Sequence, residues 1–172
     1  FPEFNSVKKY TNESDYNIYS DVMKSHQRSS IGNETIEEYL VRDYNTPKDF
    51  ENYLYVSQLL QAHGIKIGIE AHRRNMHRCM GSLYWQLNDC WPVASWSGID
   101  YYGKWKALHY TVKKSFSTFL LSHNLHKDTL DIYVISDSLK DVHATLQVKM
   151  LDFEGNVLKQ LDDQILVNSN QS

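Results

Sequence analysis

The chain has 172 residues, 41% of them hydrophobic and 23% charged, with a net charge of −3. That length and balance describe an ordinary globular protein with room for a sizeable core, and they exclude a disordered chain. The mild acidity argues against nucleic acid or an anionic membrane as partner, and no apolar run approaches the roughly 18 residues of a membrane span.

The chain opens on Phe1-Pro2 without an initiator Met, so the native N-terminus is expected elsewhere. Pro2 bars a helix before it, and a loop is expected up to Tyr10. Tyr16, Tyr19 and Met23 then recur at helical spacing, which predicts a helix over 15–24. Ser25 to Asn33 reads as a polar loop; His26, Gln27 and Arg28 on it are placed either to meet a ligand or simply to face water. Asn33 is expected to cap a helix from Glu34 to about Tyr44, with Ile36, Leu40 and Tyr44 on one face. Thr46-Pro47-Lys48-Asp49 has the chemistry of a helix start, predicting a long helix from Pro47 to about Asn75. Its inner face is traced by Phe50, Tyr53, Leu54, Ser57, Leu60, Gly64, Ile67 and Ala71, and its two glycines suggest close packing or a bend. Glu70 has the spacing to pair with Arg73 and Arg74. His63, His72, His77 and Glu70 do not share one helical face, so they read as structural polar groups and no metal site is expected.

Leu83 to Trp96 is the most distinctive stretch. It holds three of the four tryptophans, Trp85, Trp91 and Trp96, beside Gln86, Asn88 and Asp89. Gly81 opens it and Pro92 stops it, which predicts an extended strand of about 5 to 8 residues. An aromatic surface with a rim of amides and carboxylate suits the apolar face and hydroxyls of a sugar ring. The alternative is that the tryptophans fill core, the role expected for Tyr84. A strand between Cys79 and Cys90 holds their backbones beyond disulfide reach, so both are expected as free thiols. Ser97 to Gly103 reads as a turn-rich loop, and Trp105, Leu108, Val112, Phe116 and Phe119 predict a helix over 104–120.

After Ser122 the pattern changes to alternation, over Leu130–Ser136, Ala144–Met150 and Gln164–Val167. Glu154-Gly155-Asn156 is a hairpin signal between Met150-Leu151 and Val157-Leu158. These are expected to be four short strands that begin an immunoglobulin-like β-sandwich. Three Asn-x-Ser/Thr sequons, at Asn12, Asn33 and Asn170, are short enough to arise by chance. No P-loop, GxSxG or paired-cysteine signature is present, and no cofactor is expected.

GSLYWQLNDCWPVASWSGIDYYGKWKALHY resembles the eighth-strand segment of the β-mannosidases of glycoside hydrolase family 2. FPEF, HQRSSIGN and IEAHRRN fit the same family, in its bacterial branch, and the likeness runs from Phe1 to about Leu121. The resemblance implies that residues 1–121 are the C-terminal part of a (β/α)8 TIM barrel and that residues 122–172 start the sandwich. It further implies a fragment of a retaining exo-β-mannosidase that removes terminal β-D-mannosyl residues using two glutamates. Both glutamates are expected upstream of Phe1, the nucleophile in a Ser-Glu-aromatic-Gly context that Glu3 does not match, so the segment alone is expected to be inactive.

Under the same resemblance Trp85 becomes the platform beneath the sugar. Asn88 and Asp89 are hydrogen-bonding or supporting groups, Trp91 is a wall, and His26 and Gln27 are further contacts. The implied partners are a β-mannoside oligosaccharide and the rest of a parent chain, in the periplasm or outside a bacterium. Two other readings stand beside it: a non-catalytic carbohydrate-binding module, and a family 2 glycosidase of β-galactosidase or β-glucuronidase type.

Overall fold

A computed structural model describes residues 1–171, which divide into two compact units. The first is Phe1–Glu70 with Ser82–Ser115, and the second is Ala71–Gly81 with the residues from Phe116 onward.

The first unit is helical. After α1 (Phe4–Val7), the helix expected over 15–24 is instead a 3-10 turn (Glu13–Asp15) and a separate α2 (Asp21–Ser25). Local side chains outcompete the periodicity here. Asn12 and Asp15 form a reciprocal cap on the 3-10 turn, and Ser20 Oγ accepts from Met23 N at 3.2 Å to start α2 afresh. Helix α3 spans Gly32–Asp43, so Asn33 lies inside it and is not its cap. Gln27 Oε1 accepts the Asn33 backbone N–H at 3.0 Å, and a side chain six residues upstream therefore does the capping. The Asn33 amide, 2% exposed, donates to the carbonyls of Ile18 and Met23, which ties α3 to α2.

Helix α4 (Phe50–Arg74) starts three residues later than expected because Asp49 Oδ1, not Thr46, accepts the Asn52 N–H at 2.8 Å. It buries Leu54, Ser57, Ala62 and Ile69, while Ile67, expected inward, is exposed. Gly64 and Gly68 reflect no close packing, since a Cβ on either meets nothing within 4 Å. Met23 and Leu54 join Phe1, Val7, Ile18 and Ala94 in one core cluster. Ile69 packs with Leu108 and Val112 of α5 (Ala107–Ser115) in another, and Tyr84 lies against it as expected. Gln58 Oε1 of α4 accepts the Ala107 N–H at 3.0 Å, giving α5 its N-terminal partner.

The stretch around Trp85 forms no strand. Across Gln86–Asp89, Gly98 N donates to Gln86 O, Ile99 N to Leu87 O, and Asp89 N to Ile99 O. That makes one isolated parallel bridge, Asn88 to Ile99, too short a ladder for a strand. The Trp85–Gln86 peptide is cis.

In the second unit, the helix expected to reach Leu120 stops at Ser115, because Phe119 opens β1 (Phe119–His126) opposite Ser136 of β2 (Thr129–Ser136). Long-range pairing overrides helical spacing here. The hairpin turns on Lys127 at φ 51, a left-handed position where Asn or Gly is the usual signal, and so it left no mark in the sequence. Strands β3 (Val142–Leu151) and β4 (Val157–Val167) form the expected hairpin, with Gly155 at φ 90 and Asp152 Oδ1 accepting the N–H groups of Glu154 and Asn156. β4 is continuous and does not break into two short strands. Leu120, Ile135 and Val167 are the buried apolar residues of these strands. Within this unit, Arg73 donates to Asp137 at 2.7 Å and to the Ser117 carbonyl.

Removing the Asn33 amide leaves two buried carbonyls unpaired, each costing about 1–3 kcal/mol. Asn33→Ala is expected to lower the urea midpoint by the equivalent of about 2–4 kcal/mol. A change within about 0.5 kcal/mol contradicts the tie between α3 and α2.

Candidate functional site

Residues 86–106 form an irregular loop held by short pairings and two buried carboxylates. Asp100 Oδ1 accepts the N–H groups of Tyr102 and Lys104, both at 2.9 Å, and Gly103 at φ 78 completes this turn. Gly98 allows the chain to pass close to its neighbours, since a Cβ there stands 3.2 Å from His109 Nδ1 and 3.4 Å from the Tyr84 hydroxyl. Ala94 bridges in parallel to Gln27: Arg28 N donates to Ala94 O, and Ala94 N to His26 O.

Asp89 sits at the centre of the loop, 5% exposed. Ser95 Oγ donates to its Oδ1 at 2.5 Å and Ser97 Oγ to its Oδ2 at 2.6 Å. The Lys106 ammonium, 1% exposed, lies 3.7 Å from Oδ2 and donates to the Ser95 carbonyl at 3.4 Å. Burial holds the Lys106 pKa below its ordinary value, and the charges of Asp89 and Asp100 oppose that shift.

A cavity of about 150 Å³ opens over this network. Trp85, Trp91 and Trp96 line it together with Arg28, Gln86 and Asp89. The three tryptophans therefore converge. Trp85 is 72% exposed and fills no core of this chain. A neighbouring cavity of about 390 Å³ shares Arg28, Ser95 and Trp96, but side chains such as Ile31, Ile36 and Leu60 make much of its wall apolar. The smaller one joins aromatic faces to charged and amide groups, which a polyhydroxylated ring requires.

Of the residues expected to meet a ligand, Trp85, Asp89 and Trp91 line the smaller cavity, while Asn88, His26 and Gln27 do not. Asn88 is exposed, and its amide donates to the Asp89 carbonyl at 3.1 Å. His26 Nδ1 donates to the Pro92 carbonyl at 2.7 Å; its ring stacks on Tyr10 at 4.3 Å and meets Trp91 at 5.7 Å, so it backs the wall from behind. Gln27 is committed to the α3 cap and to the Ser30 carbonyl. Sequence reasoning missed Ser95, Ser97 and Lys106. The alternation Ser-Trp-Ser around Trp96 was a usable signal, whereas a lysine just before α5 gives no hint of complete burial. Among the described residues no three of His, Cys, Asp and Glu gather to hold a metal ion.

Known proteins share this arrangement of elements. The chain is 32% identical to the β-mannosidase of Capra hircus over 163 residues, and 37% identical to β-mannosidase A of Aspergillus terreus over 128 residues. These alignments cover 87% and 71% of the chain and 18% and 14% of the two relatives. The crystal structure of β-D-mannosidase from Dictyoglomus thermophilum superposes with a TM-score of 0.87 at 32% identity, covering 99% of this chain and 21% of that one. The chain corresponds to a segment of the β-mannosidases. Within it, residues 128–172 match the Mannosidase Ig/CBM-like domain. The exo-chitosanase of Amycolatopsis orientalis, 18% identical with a TM-score of 0.81, shares the fold. The chain spans about a fifth of the length of the mannosidases it matches.

Cys79 and Cys90 are both unpaired, and Cys90 lines the tryptophan cavity. Thiol titration of the unfolded protein without reductant is expected to count two thiols, and a bulky adduct on Cys90 in the folded protein should alter tryptophan emission. A disulfide-linked peptide pair, or unchanged emission after complete labelling of Cys90, contradicts this geometry.

Proposed function

We propose that this chain is part of a retaining exo-β-mannosidase that removes terminal β-D-mannosyl residues, and that it contributes the aromatic floor of the sugar subsite. The convergence of Trp85, Trp91 and Trp96 on one cavity with Gln86 and Arg28 carries this reading. A pyranose presents a C–H face to a flat indole and directs its hydroxyls sideways toward donors and acceptors. Trp85 is the platform; Trp91 and Trp96 are walls that exclude water. The likeness to β-mannosidases over most of the chain supports mannose over other β-linked sugars. The 25-residue helix α4 weighs against a carbohydrate-binding module, which is normally almost all β.

Residues 1–121 are, in this reading, the C-terminal part of a (β/α)8 barrel, with the tryptophan loop at the barrel's ligand-binding end. Residues 122–172 begin the immunoglobulin-like sandwich. The two glutamates of double displacement, one acid/base and one nucleophile, belong to other parts of the parent protein. A floor that holds the ring rigidly helps fix the distorted, oxocarbenium-like geometry that such displacement passes through.

In the full-length protein carrying this segment, Trp85→Ala is expected to lower kcat/KM by roughly 30- to 1,000-fold, or about 2–4 kcal/mol of transition-state stabilisation. Its urea midpoint should stay near wild type, because an exposed indole supports little packing. A collapsed midpoint with activity per folded molecule within a few-fold of wild type contradicts the platform role.

The 172-residue chain by itself is expected to release no measurable chromophore from an aryl β-mannoside. Turnover abolished by changing one carboxylate within it contradicts the placement of both glutamates elsewhere.

A further inference from the structure

We propose that Asp89 and Lys106 act as a positioning pair that holds Trp91 and Trp96 as walls of the cavity, and that Asp89 itself does not touch the sugar. The inference rests on the sugar-subsite reading above and assigns that site's one buried carboxylate a different task from ligand contact.

Three observations carry it. First, both side chains are 1% accessible, so no sugar hydroxyl reaches the Asp89 carboxylate without displacing protein. Second, its oxygens are already engaged: Ser95 Oγ and Ser97 Oγ each donate to one, and the Lys106 ammonium adds charge at 3.7 Å. Third, those partners bracket the aromatic groups. Ser95 and Ser97 flank Trp96 in sequence, and Trp91 follows Asp89 by two residues. One carboxylate thus gathers both ends of the segment that carries two of the cavity's walls.

The charge on Asp89 is needed because Lys106 is buried. A neutral asparagine can still accept from one serine, but it leaves the ammonium with the Ser95 carbonyl and the field of Asp100, whose Oδ1 is occupied by its own turn. An orphaned buried charge draws water or rearranges its surroundings, and the segment bonded to it moves. Removing both charges together leaves no orphan and lets the loop close on apolar atoms.

The test uses the full-length protein as wild type, Asp89→Asn, Lys106→Met and the double variant. It reads kcat/KM and KM on an aryl β-mannoside, the melting temperature, and acrylamide quenching of tryptophan emission. Positioning predicts that Asp89→Asn loses roughly 100-fold in kcat/KM, the scale of an ångström-level misplacement, and about 5 °C or more in melting temperature. Quenching should rise as the walls loosen. The double variant should then recover most of all three losses.

If the double variant regains its melting temperature while kcat/KM stays where Asp89→Asn left it, Asp89 contacts the sugar and the proposal is overturned. Wild-type values in Asp89→Asn overturn it too. Should Asp89→Asn fail to fold, Lys106→Met and the double variant carry the comparison, and a double variant no better than Lys106→Met overturns the pair. A wild-type protein that turns over no β-mannoside sinks the substrate reading instead, while quenching across the four proteins still decides whether the pair holds the tryptophans.

Discussion

A carboxylate and an ammonium, both out of solvent and 3.7 Å apart, organise the tryptophan loop of this chain. Leaving Asp89 or Lys106 alone in that environment costs several kcal/mol, so the surrounding backbone is constrained to satisfy both. Two serine hydroxyls complete the carboxylate, and the second carboxylate, Asp100, ties its own turn through backbone N–H groups. A loop of about twenty residues with almost no regular ladder is thereby given a defined path. Irregular backbone carries the tryptophans because the polar groups beneath them are fixed.

The remainder of the first unit serves this loop from behind. Tyr10 stacks on His26, His26 holds the Pro92 carbonyl and backs Trp91, and Ala94 pairs with the residues on either side of Gln27. Gln27 in turn caps α3, and Asn33 of α3 is bonded to the carbonyls of α2 and the turn before it. A chain of buried and part-buried hydrogen bonds thus runs from the helical core to the aromatic wall. Burial also raises the Tyr10 hydroxyl's pKa, keeping it neutral beneath this stack.

Long elements were readable in the sequence, and the tryptophan-rich motif pointed to its family directly. The α4 periodicity, the Glu154-Gly155-Asn156 turn and the convergence of Trp85 with Trp91 and Trp96 all appear in the structure. Boundaries set by side chains acting at a distance were not readable. Gln27 and Gln58 supply helix-end bonds from six and forty-nine residues away, which no local pattern reveals. Phe119 continues a helical spacing yet pairs with Ser136, since cross-strand partners decided between two locally acceptable conformations. Asp89 stood out in the sequence as a hydrogen-bonding or supporting group, but its burial was not legible, because it depends on Ser95, Ser97 and Lys106 folding over it.

Trp85 stands apart from this network as an aromatic face that is largely exposed within the chain. Its platform role is the central claim, and a crystal structure of the full-length protein with a mannose-configured iminosugar tests it most directly. The sugar ring is expected to lie over the Trp85 indole at roughly 4 Å, van der Waals stacking distance, with Trp91 and Trp96 at its edges and Asp89 still bonded to its serines. An inhibitor bound away from Trp85, or an indole buried beneath another part of the protein while the sugar sits elsewhere, contradicts it.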